Sequence, residues 1–268
     1  MTRPTTMSDS INTMNDARKQ QLHEAANLLI NARRNHAPIA DLPAAVAPVS
    51  LDEAYFIQDA IAAAFGPIGG WKIGAPSLEA TPAFAPMPLA WFYPDGATFT
   101  GPHFRYRVLE GEIAFLLGKD LPARATPYTR EEVVAAIASC HPIIEELESG
   151  LIDPKAVAPL TSSADLQMNG AFITGPAVAN WQSIDFHTET VTLTVNGKVE
   201  VQRTGSNTSG DLMRLLPYIA NEASVRTGGL KAGQWITTGS WTGNTPAPAG
   251  SRAEVAFTHA GRISLHFE

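Results

Sequence analysis

Apolar residues recur three or four positions apart in the first part of the chain, which is the spacing of a helix that buries one face. Between Asp16 and Arg34 this pattern predicts a helix with Asp16 as its N-terminal cap. Prolines interrupt the chain after that helix. Ser50 and Glu53 then have the spacing of a capping box, and the apolar positions that follow predict a second helix ending near Phe65.

From Trp71 onward, apolar and polar residues alternate in short runs, a pattern typical of strands. The clearest pair is Thr190–Val195 and Lys198–Gln202, which an Asn-Gly dipeptide joins, and this arrangement predicts a β-hairpin. Further elements are predicted as strands at residues 112–117, 167–174, 235–238, 253–257 and 262–266 and as helices at residues 129–139 and 210–226.

The order of these elements, helices first and short strands afterwards, predicts an α+β fold with a β-rich, mixed-sheet body. We expect three parts. Residues 1–15 are polar and rich in Ser, Thr and Asn, and are predicted to form a disordered extension. Residues 16–68 are predicted to form a helical N-terminal segment, and residues 69–268 the β-rich domain.

The composition narrows the range of functions. The 268 residues are 44% hydrophobic, enough for a sizeable core, and their formal net charge of −7 argues against a nucleic-acid or anionic-membrane surface. No run approaches the roughly 18 apolar residues of a membrane span. The single cysteine, Cys140, excludes an internal disulfide and a cysteine-based zinc site, so we expect a reducing, cytoplasmic location.

Two carboxylates stand at the head of an apolar strand, Glu110 and Glu112. Side chains two positions apart on a strand point to the same face, so both can converge on one point and bind a hard divalent cation. Glu145 emerges from a second apolar run and is a candidate third ligand. The alternative interpretations are a solvated strand rim for the first pair and a charged turn for Glu145.

Two further features could contact a ligand. Lys72 lies between Gly70 and Gly74, and glycines let a ligand approach the backbone closely. Alternatively, Lys72 is an ordinary strand lysine. Residues 237–243 are rich in threonine, serine and glycine and could hydrogen-bond a carboxylate, or form only a polar turn.

In this order, the motifs of the chain resemble those of a known enzyme family. The motifs are Gly-x-Lys-Ile-Gly (70–74), Glu-x-Glu-Ile-Ala-Phe-x-Leu-Gly (110–118), Pro-x-x-Glu (142–145), Ala-Phe-Ile-x-Gly (171–175) and Leu-x-Ala-Gly-x-x-Ile-x-Thr-Gly-Ser (230–240). Together they resemble the 2-keto-4-pentenoate hydratase family of the fumarylacetoacetate hydrolase superfamily, which also contains 2-oxohept-3-ene-1,7-dioate hydratases and 4-oxalocrotonate decarboxylases. The resemblance implies a fumarylacetoacetase C-terminal-like catalytic domain.

The resemblance also implies site residues. Glu110, Glu112 and Glu145 match the family's carboxylate ligands for Mg²⁺ or Mn²⁺, and Lys72 matches its active-site lysine. Since burial lowers the pKa of a lysine, Lys72 is a candidate for proton transfer as well as for electrostatic stabilisation. The turn that contains Thr238 and Ser240 matches the family's late substrate-contacting turn.

Two segments depart from the family pattern. The family commonly has Asp-Asn-Ala-Ser-Ser-Gly where this chain has residues 165–170, so Asp165 and Gln167 are expected to bind substrate while Leu166 and Met168 make the pocket wall more apolar. This change predicts a preference for substrates with an apolar tail. The family's acidic residue near the end of residues 84–96 is shifted by one position here, to Asp95, which we take as the candidate catalytic carboxylate.

The resemblance implies a metal-dependent lyase of aromatic catabolism that hydrates a 2-hydroxy-2,4-dienoate (a 2-oxo-enoate) to a 4-hydroxy-2-oxo acid. One alternative is a 4-oxalocrotonate-type decarboxylase, whose diacid substrate needs a cationic anchor such as Arg105, Arg107 or Arg203. Another is a catalytically silent partner subunit. We also expect the protein to form a homo-oligomer. A further prediction is that it associates with an enzyme of the same pathway.

Overall fold

The computed structural model describes residues 14–101 and 104–268. The predicted disordered extension lies almost entirely outside these residues. The helices are α1 Asp16–Arg34, α2 Leu51–Phe65, α3 Arg130–Val134, α4 Pro159–Ala164 and α5 Leu215–Thr227. The strands are β1 Ile68–Gly74, β2 Ala83–Pro88, β3 Phe92–Pro94, β4 Ala97–Phe99, β5 Val108–Leu117, β6 Leu121–Pro122, β7 Ile137–Leu147, β8 Asn169–Thr174, β9 Thr190–Val195, β10 Lys198–Thr204, β11 Gly229–Leu230, β12 Trp235–Thr237, β13 Thr245–Pro246, β14 Arg252–Phe257 and β15 Arg262–Phe267.

The two N-terminal helices form where the apolar spacing predicts them. The cap of α1 is Asn15, whose side chain accepts a hydrogen bond from Arg18 N at 2.8 Å, so the cap lies one residue before the predicted Asp16. Ser50 caps α2 by accepting from Glu53 N at 3.3 Å. The apolar faces of both helices pack together in one cluster, which also includes Leu151 and Leu166 from the later part of the chain.

Two mixed sheets form the β-rich body within the described residues. The larger has the strand order β2-β1-β12-β5-β7-β8-β3, with β13 paired to β5, and the smaller has the order β10-β9-β14-β15-β4. The predicted Asn-Gly hairpin is β9–β10, at an edge of the smaller sheet. The main apolar core contains residues of both sheets, such as Ile113 of β5 and Val255 of β14. This architecture confirms the predicted α+β class.

One predicted helix is much shorter than expected. The helix predicted at residues 129–139 begins as expected, with a capping box between Thr129 and Glu132, but α3 ends at Val134. The chain then enters β7, which pairs with β5 on one side and β8 on the other. The prediction was wrong because ten of the eleven residues of β7 have partners in these two ladders, and local helical preference cannot compete with such pairing.

The remaining predicted strands and the helix predicted at residues 210–226 are observed with shifts of one to a few residues at their ends. No helix within residues 14–101 and 104–268 is long and apolar enough to cross a membrane.

Candidate active site and metal centre

The carboxylates singled out by the sequence lie together on one face of the larger sheet. In the antiparallel ladder between β5 and β7, Glu110 is directly opposite Glu145, and Glu112 lies two positions further along the same face. One oxygen from each of the three carboxylates lies within 4.8 Å of the others. We call these three residues the carboxylate cluster. Glu145 therefore lies within a strand, and its interpretation as part of a charged turn is wrong.

Gly111, between two members of the cluster, is required by the packing of the sheets. A Cβ at this position would lie 2.8 Å from Val255 Cγ1 of the smaller sheet. Real side chains do not approach this closely, so any larger residue would push the two sheets apart. The Glu-Gly-Glu motif thus has a role on each face of β5. Gly111 lets the two sheets pack closely on one face, and the carboxylates of the two glutamates lie on the other.

Burial and mutual repulsion shape the electrostatics of the cluster. Glu112 is 1% exposed and Glu145 is fully buried. Burial, together with the neighbouring Glu145 carboxylate, raises the pKa of Glu110 to about 7. The same causes, with a further contribution from Glu110, raise the pKa of Glu112 well above its ordinary value. Like charges opposite one another destabilise a ladder, so the chain keeps this arrangement at a cost in folding free energy.

Lys72 provides the positive charge of the site. Its Nζ, on a side chain that is 13% exposed, donates hydrogen bonds to Glu145 Oε1 and, at 3.1 Å, to the carbonyl oxygen of Gln167. Burial by itself would lower the pKa of Lys72, but Glu145 and the other two carboxylates outweigh it and raise this pKa. The expected lowering is therefore wrong, because the sequence did not show that three carboxylates surround the ammonium group.

The residues present fit a hard divalent cation. Within the described part of the chain, Glu145 Oε2 is buried and has no hydrogen-bond partner, a situation that costs about 1–3 kcal/mol unless a cation satisfies the oxygen. Three carboxylates against the single ammonium group of Lys72 leave a charge of −2 when all are ionised. An all-oxygen donor set with this charge suits Mg²⁺ or Mn²⁺.

A left-handed turn positions Gln167 beside Lys72. Leu166, Gln167 and Met168 have φ angles of 54°, 52° and 63°, a region that residues other than glycine seldom occupy. In this conformation the Gln167 carbonyl accepts from Lys72, and the Gln167 side-chain amide donates to Phe84 O at 3.2 Å. Strained backbone of this kind is common at functional sites. Gln167 thus lies beside Lys72 at the site, and its role in substrate binding stays a prediction.

A cavity of about 380 Å³ opens onto the cluster. Lys72, Glu110, Glu112, Gln167 and Ser240 line it. The Ser240 hydroxyl, close enough to Glu110 to lower the pKa of that carboxyl, accepts a hydrogen bond from Gly243 N at 2.9 Å. The late Ser/Thr-rich turn therefore borders the site rather than forming only a polar surface turn.

Two amides at the site were missed by the sequence analysis. With its amide nitrogen toward the cluster, Asn244 donates to Glu110 Oε1 at 2.7 Å and accepts from Lys155 Nζ at 3.3 Å. Asn169 Nδ2 donates to Glu145 Oε1 at 3.4 Å. The sequence signals were that Asn169 lies within residues 165–170 and that Asn244 follows residues 237–243, both already singled out, although a lone asparagine has no distinctive pattern.

Three predicted residues are not brought to the cavity. Asp165 is fully buried and forms an ion pair with Arg33 at 2.6 Å, so its carboxylate holds helix α1 rather than substrate. Thr238 is buried and its hydroxyl donates to Ile113 O at 2.7 Å, within the sheet. Asp95 is exposed in the turn between β3 and β4, where its carboxylate accepts from Ser264 N at 2.8 Å.

The pocket wall expected from Leu166 is also absent. Leu166 is fully buried in the cluster formed by the N-terminal helices and does not line the cavity. The left-handed turn explains this, because it directs the backbone of Gln167 toward Lys72 while Leu166 packs on the opposite side against the helices. The argument for a substrate with an apolar tail loses its main support.

A larger cavity, of about 680 Å³, lies elsewhere, next to helix α1. Arg105 and Arg107 line it, and both donate to backbone carbonyl oxygens, of Leu151 at 2.8 Å and of Phe104 at 2.9 Å respectively. The carboxylate cluster does not line this larger cavity. The volume of a cavity alone therefore does not show which cavity is the candidate active site.

Comparisons with known proteins agree with this geometry. The family model described as fumarylacetoacetate hydrolase C-terminal matches residues 64–267. A 2-hydroxyhexa-2,4-dienoate hydratase of Comamonas testosteroni is 31% identical over 158 residues, which are 59% of this chain and 59% of that hydratase. A 2-keto-4-pentenoate hydratase of Paraburkholderia xenovorans is 24% identical over 260 residues, which cover 93% of this chain and 96% of the relative.

Among solved structures, a 4-oxalocrotonate decarboxylase from Pseudomonas putida G7, complexed with magnesium and adipate, has a similar fold. It superposes with a TM-score of 0.82 at 24% identity, covering 96% of this chain and 99% of the decarboxylase. At this identity the likeness concerns the fold.

Proposed function

The chain belongs to the fumarylacetoacetate hydrolase family, and on this premise we propose that it is a divalent-metal-dependent hydro-lyase of aromatic catabolism. Its substrate is a 2-hydroxy-2,4-dienoate, which it hydrates to a 4-hydroxy-2-oxo acid. The observation that carries the proposal is the carboxylate cluster with Lys72 at its side, because it leaves a buried carboxylate oxygen unsatisfied beside a cavity of substrate size. The two hydratase relatives support the same reaction.

Glu110, Glu112 and Glu145 would hold the Mg²⁺ or Mn²⁺ ion, which supplies a Lewis acid that polarises the substrate's carbonyl oxygen. Lys72 adds a fixed positive charge. Two of its three N–H groups have acceptors, Glu145 and the Gln167 carbonyl, which leaves the third for a substrate oxygen on which negative charge develops. The Ser240 hydroxyl borders the cavity and has one O–H to donate to a substrate oxygen.

The reaction requires two proton movements and one addition. The 2-hydroxyl group loses its proton and C5 gains one, which produces the 2-oxo-3-enoate. Water then adds across the remaining double bond, its oxygen to C4 and a proton to C3. Lys72 stays an ammonium group because the three carboxylates raise its pKa, so it donates a hydrogen bond to the 2-oxygen while the hydroxyl proton passes to water in the cavity.

The test uses purified protein freed of metal with a chelator. Turnover is followed by the fall in ultraviolet absorbance as the dienoate is consumed. Addition of Mg²⁺ or Mn²⁺ is expected to restore turnover in wild type but not in Glu110→Gln or Lys72→Met. Glu200→Gln, a substitution at an exposed position of the hairpin, is the matched control and should behave as wild type. Full activity without metal would overturn the proposal.

Two alternatives have distinct outcomes in the same experiments. Release of CO₂ in step with loss of the substrate would assign the site to a decarboxylase. Calorimetry with Mg²⁺ alone tests the silent-subunit alternative, because a silent relative has no need of the ion. Four further expectations stay predictions. Light scattering tests the homo-oligomer, and co-purification tests the pathway partner. Cell fractionation tests the cytoplasmic location, and limited proteolysis tests the division between residues 68 and 69.

A further inference from the structure

Arg203 lies at the mouth of the cavity that contains the carboxylate cluster. It belongs to β10, the edge strand of the smaller sheet, and its side chain is exposed and lines the cavity. Across residues 14–101 and 104–268, the guanidinium group of Arg203 has neither an ion pair nor a hydrogen bond. An unpaired guanidinium group beside a substrate cavity offers a ready bidentate partner for an anion.

The two other arginines considered as anchors are placed differently. Arg105 and Arg107 line the separate, larger cavity, and their guanidinium groups already donate to backbone carbonyl oxygens. Of the three candidates, only Arg203 combines a place at the cavity of the cluster with free hydrogen-bond donors. The sequence offered three arginines as anchors for a substrate carboxylate, and the structure places only Arg203 at the cavity of the cluster.

The turn at residues 240–243 lies between Arg203 and the cluster. At one end Ser240 is close enough to Glu110 to lower its pKa, and the Ser240 hydroxyl accepts from Gly243 N. Arg203 Nη1 lies 3.5 Å from the point that a Cβ on Gly243 would occupy. Gly243 has a φ of +67°, which favours glycine, and the absence of a side chain lets the guanidinium group lie close over this turn.

The walls between the cluster and Arg203 suit a polar substrate end. The hydroxyl groups of Ser206 and Thr208 line the cavity and make its wall polar, but each already donates to a backbone carbonyl oxygen, so the donor for a substrate carboxylate on this side is Arg203. The apolar residues that line the cavity are Ile73, Ala75, Pro76 and Ala83, and three of these four are small.

Charge arithmetic points the same way. Three carboxylates, the Lys72 ammonium group and a divalent ion sum to zero, so this end of the cavity has a net charge of −1 once it holds the carboxylate of the 2-oxo acid. A second carboxylate on the substrate needs its own counter-ion, and Arg203 is placed to supply it.

We propose that Arg203 binds the distal carboxylate of the substrate and thereby makes this enzyme selective for 2-oxo-enedioates, acids with a carboxylate at both ends. The inference rests on the proposed function, because it uses the same metal-centred site for the 2-oxo acid end. It replaces the preference for an apolar tail, which depended on a wall that Leu166 does not form.

The test compares wild type with Arg203→Leu and Arg203→Lys on two substrates, 2-hydroxyhexa-2,4-dienedioate and 2-hydroxypenta-2,4-dienoate. Arg203→Leu is expected to lower kcat/KM for the diacid by about 10- to 30-fold, mainly through KM, since a charged hydrogen-bonded pair at a solvent-accessible position is lost. The monoacid should change by less than about twofold. Arg203→Lys should fall between, because it keeps the charge and loses the bidentate geometry.

A binding measurement provides a readout besides turnover. Calorimetry of the Mg²⁺-loaded protein with the unreactive chelators 2-oxoadipate and 2-oxohexanoate should show that wild type binds the diacid about tenfold more tightly and that Arg203→Leu removes the difference. Arg262→Leu, at an exposed arginine of the same sheet that does not line the cavity, is the matched control and should retain it. Circular dichroism verifies that each variant is folded.

The outcomes separate this inference from the proposed function. Wild-type turnover of the monoacid in preference to the diacid, or equal losses on both substrates in Arg203→Leu, would overturn the role of Arg203 and leave the hydratase proposal standing. Failure of wild type to turn over either substrate would overturn both. Decarboxylation of the diacid with the predicted loss in Arg203→Leu would support the role of Arg203 and change only the reaction.

Discussion

Two buried ion pairs, Arg33–Asp165 and Lys72–Glu145, resemble each other in charge and burial but differ in how fully their carboxylates are satisfied. Asp165 Oδ1 accepts from Arg33 Nε, and Oδ2 accepts from Ser149 Oγ at 2.6 Å and Gly150 N at 2.8 Å. Glu145 has partners on one oxygen only, and its other oxygen is buried without any, as far as the described residues show.

The surroundings of the two pairs differ in the same sense. One carboxylate meets one guanidinium group at Asp165, and the Arg33 side chain also donates to the carbonyl oxygens of Asn169 and Glu148. At Glu145, two more carboxylates crowd a single ammonium group. A complete set of partners indicates a structural role, because such a pair ties the N-terminal helices to the body. An incomplete set of partners beside a cavity indicates a binding site, because the unsatisfied oxygen lowers the stability of the free protein and a bound ligand restores that stability.

The largest effect is expected when the unsatisfied cluster loses a charge. Glu112→Gln keeps the shape of the side chain and removes a metal ligand, so kcat with saturating Mg²⁺ should fall on the order of 10³- to 10⁴-fold. The free energy of unfolding of the metal-free protein should not fall, because mutual repulsion of buried carboxylates is relieved. Steady-state kinetics and urea unfolding measure the two quantities. Retained activity, or a clear loss of stability, would contradict the comparison.

The opposite result is expected at the satisfied pair. Asp165→Asn leaves the buried Arg33 guanidinium group without its counter-ion, so the free energy of unfolding should fall by about 3–4 kcal/mol. The activity of the molecules that remain folded should stay within about threefold of wild type. Asp120→Asn breaks the exposed pair with Lys231, in which both side chains are 55% exposed, and should cost less than about 1 kcal/mol. Equal costs for the two variants would show that Asp165 has no special structural role.

Added metal should distinguish the two pairs directly. At a Mg²⁺ concentration of about 100 times Kd, binding to the folded state alone should stabilise wild type by about 2.7 kcal/mol. Asp165→Asn should gain the same increment from its lower baseline, whereas Glu112→Gln should gain almost none. Thermal unfolding with and without Mg²⁺ measures the increments. Loss of the increment in Asp165→Asn would mean that the two pairs act as one unit.

The smallest effect is expected at Asn169, which contacts both regions. Its Nδ2 donates to Glu145 Oε1 and its carbonyl oxygen accepts from Arg33. Asn169→Ala removes only the first, long hydrogen bond, so the Kd for Mg²⁺ should rise by about tenfold. Thr238→Val, which removes a hydroxyl that donates to Ile113 O, should cost about 1 kcal/mol of stability without changing this Kd. Calorimetry decides between a tenfold rise and no change.

What the sequence determined by itself was local. The helices near residues 16–34 and 51–65, the Asn-Gly hairpin and the shared face of Glu110 and Glu112 follow from periods of 3.6 and 2 that a short stretch of chain sets without outside help. The resemblance in motifs then indicated the family, which the match over residues 64–267 confirms.

Tertiary structure decided how these local parts meet. The register of β5 against β7 places Glu145 opposite Glu110, and the sheet order lets Lys72 reach across to it. Arg33 and Asp165, 132 positions apart, pair only because helix α1 packs on the segment around residue 165. From the sequence, Asp165 was predicted to bind substrate and Arg203 was one of three candidate anchors. The sequence could not do better, because the local pattern around a carboxylate or a guanidinium group is the same whether or not the group has a partner. Whether that partner is present depends on long-range packing, which no short run of residues contains.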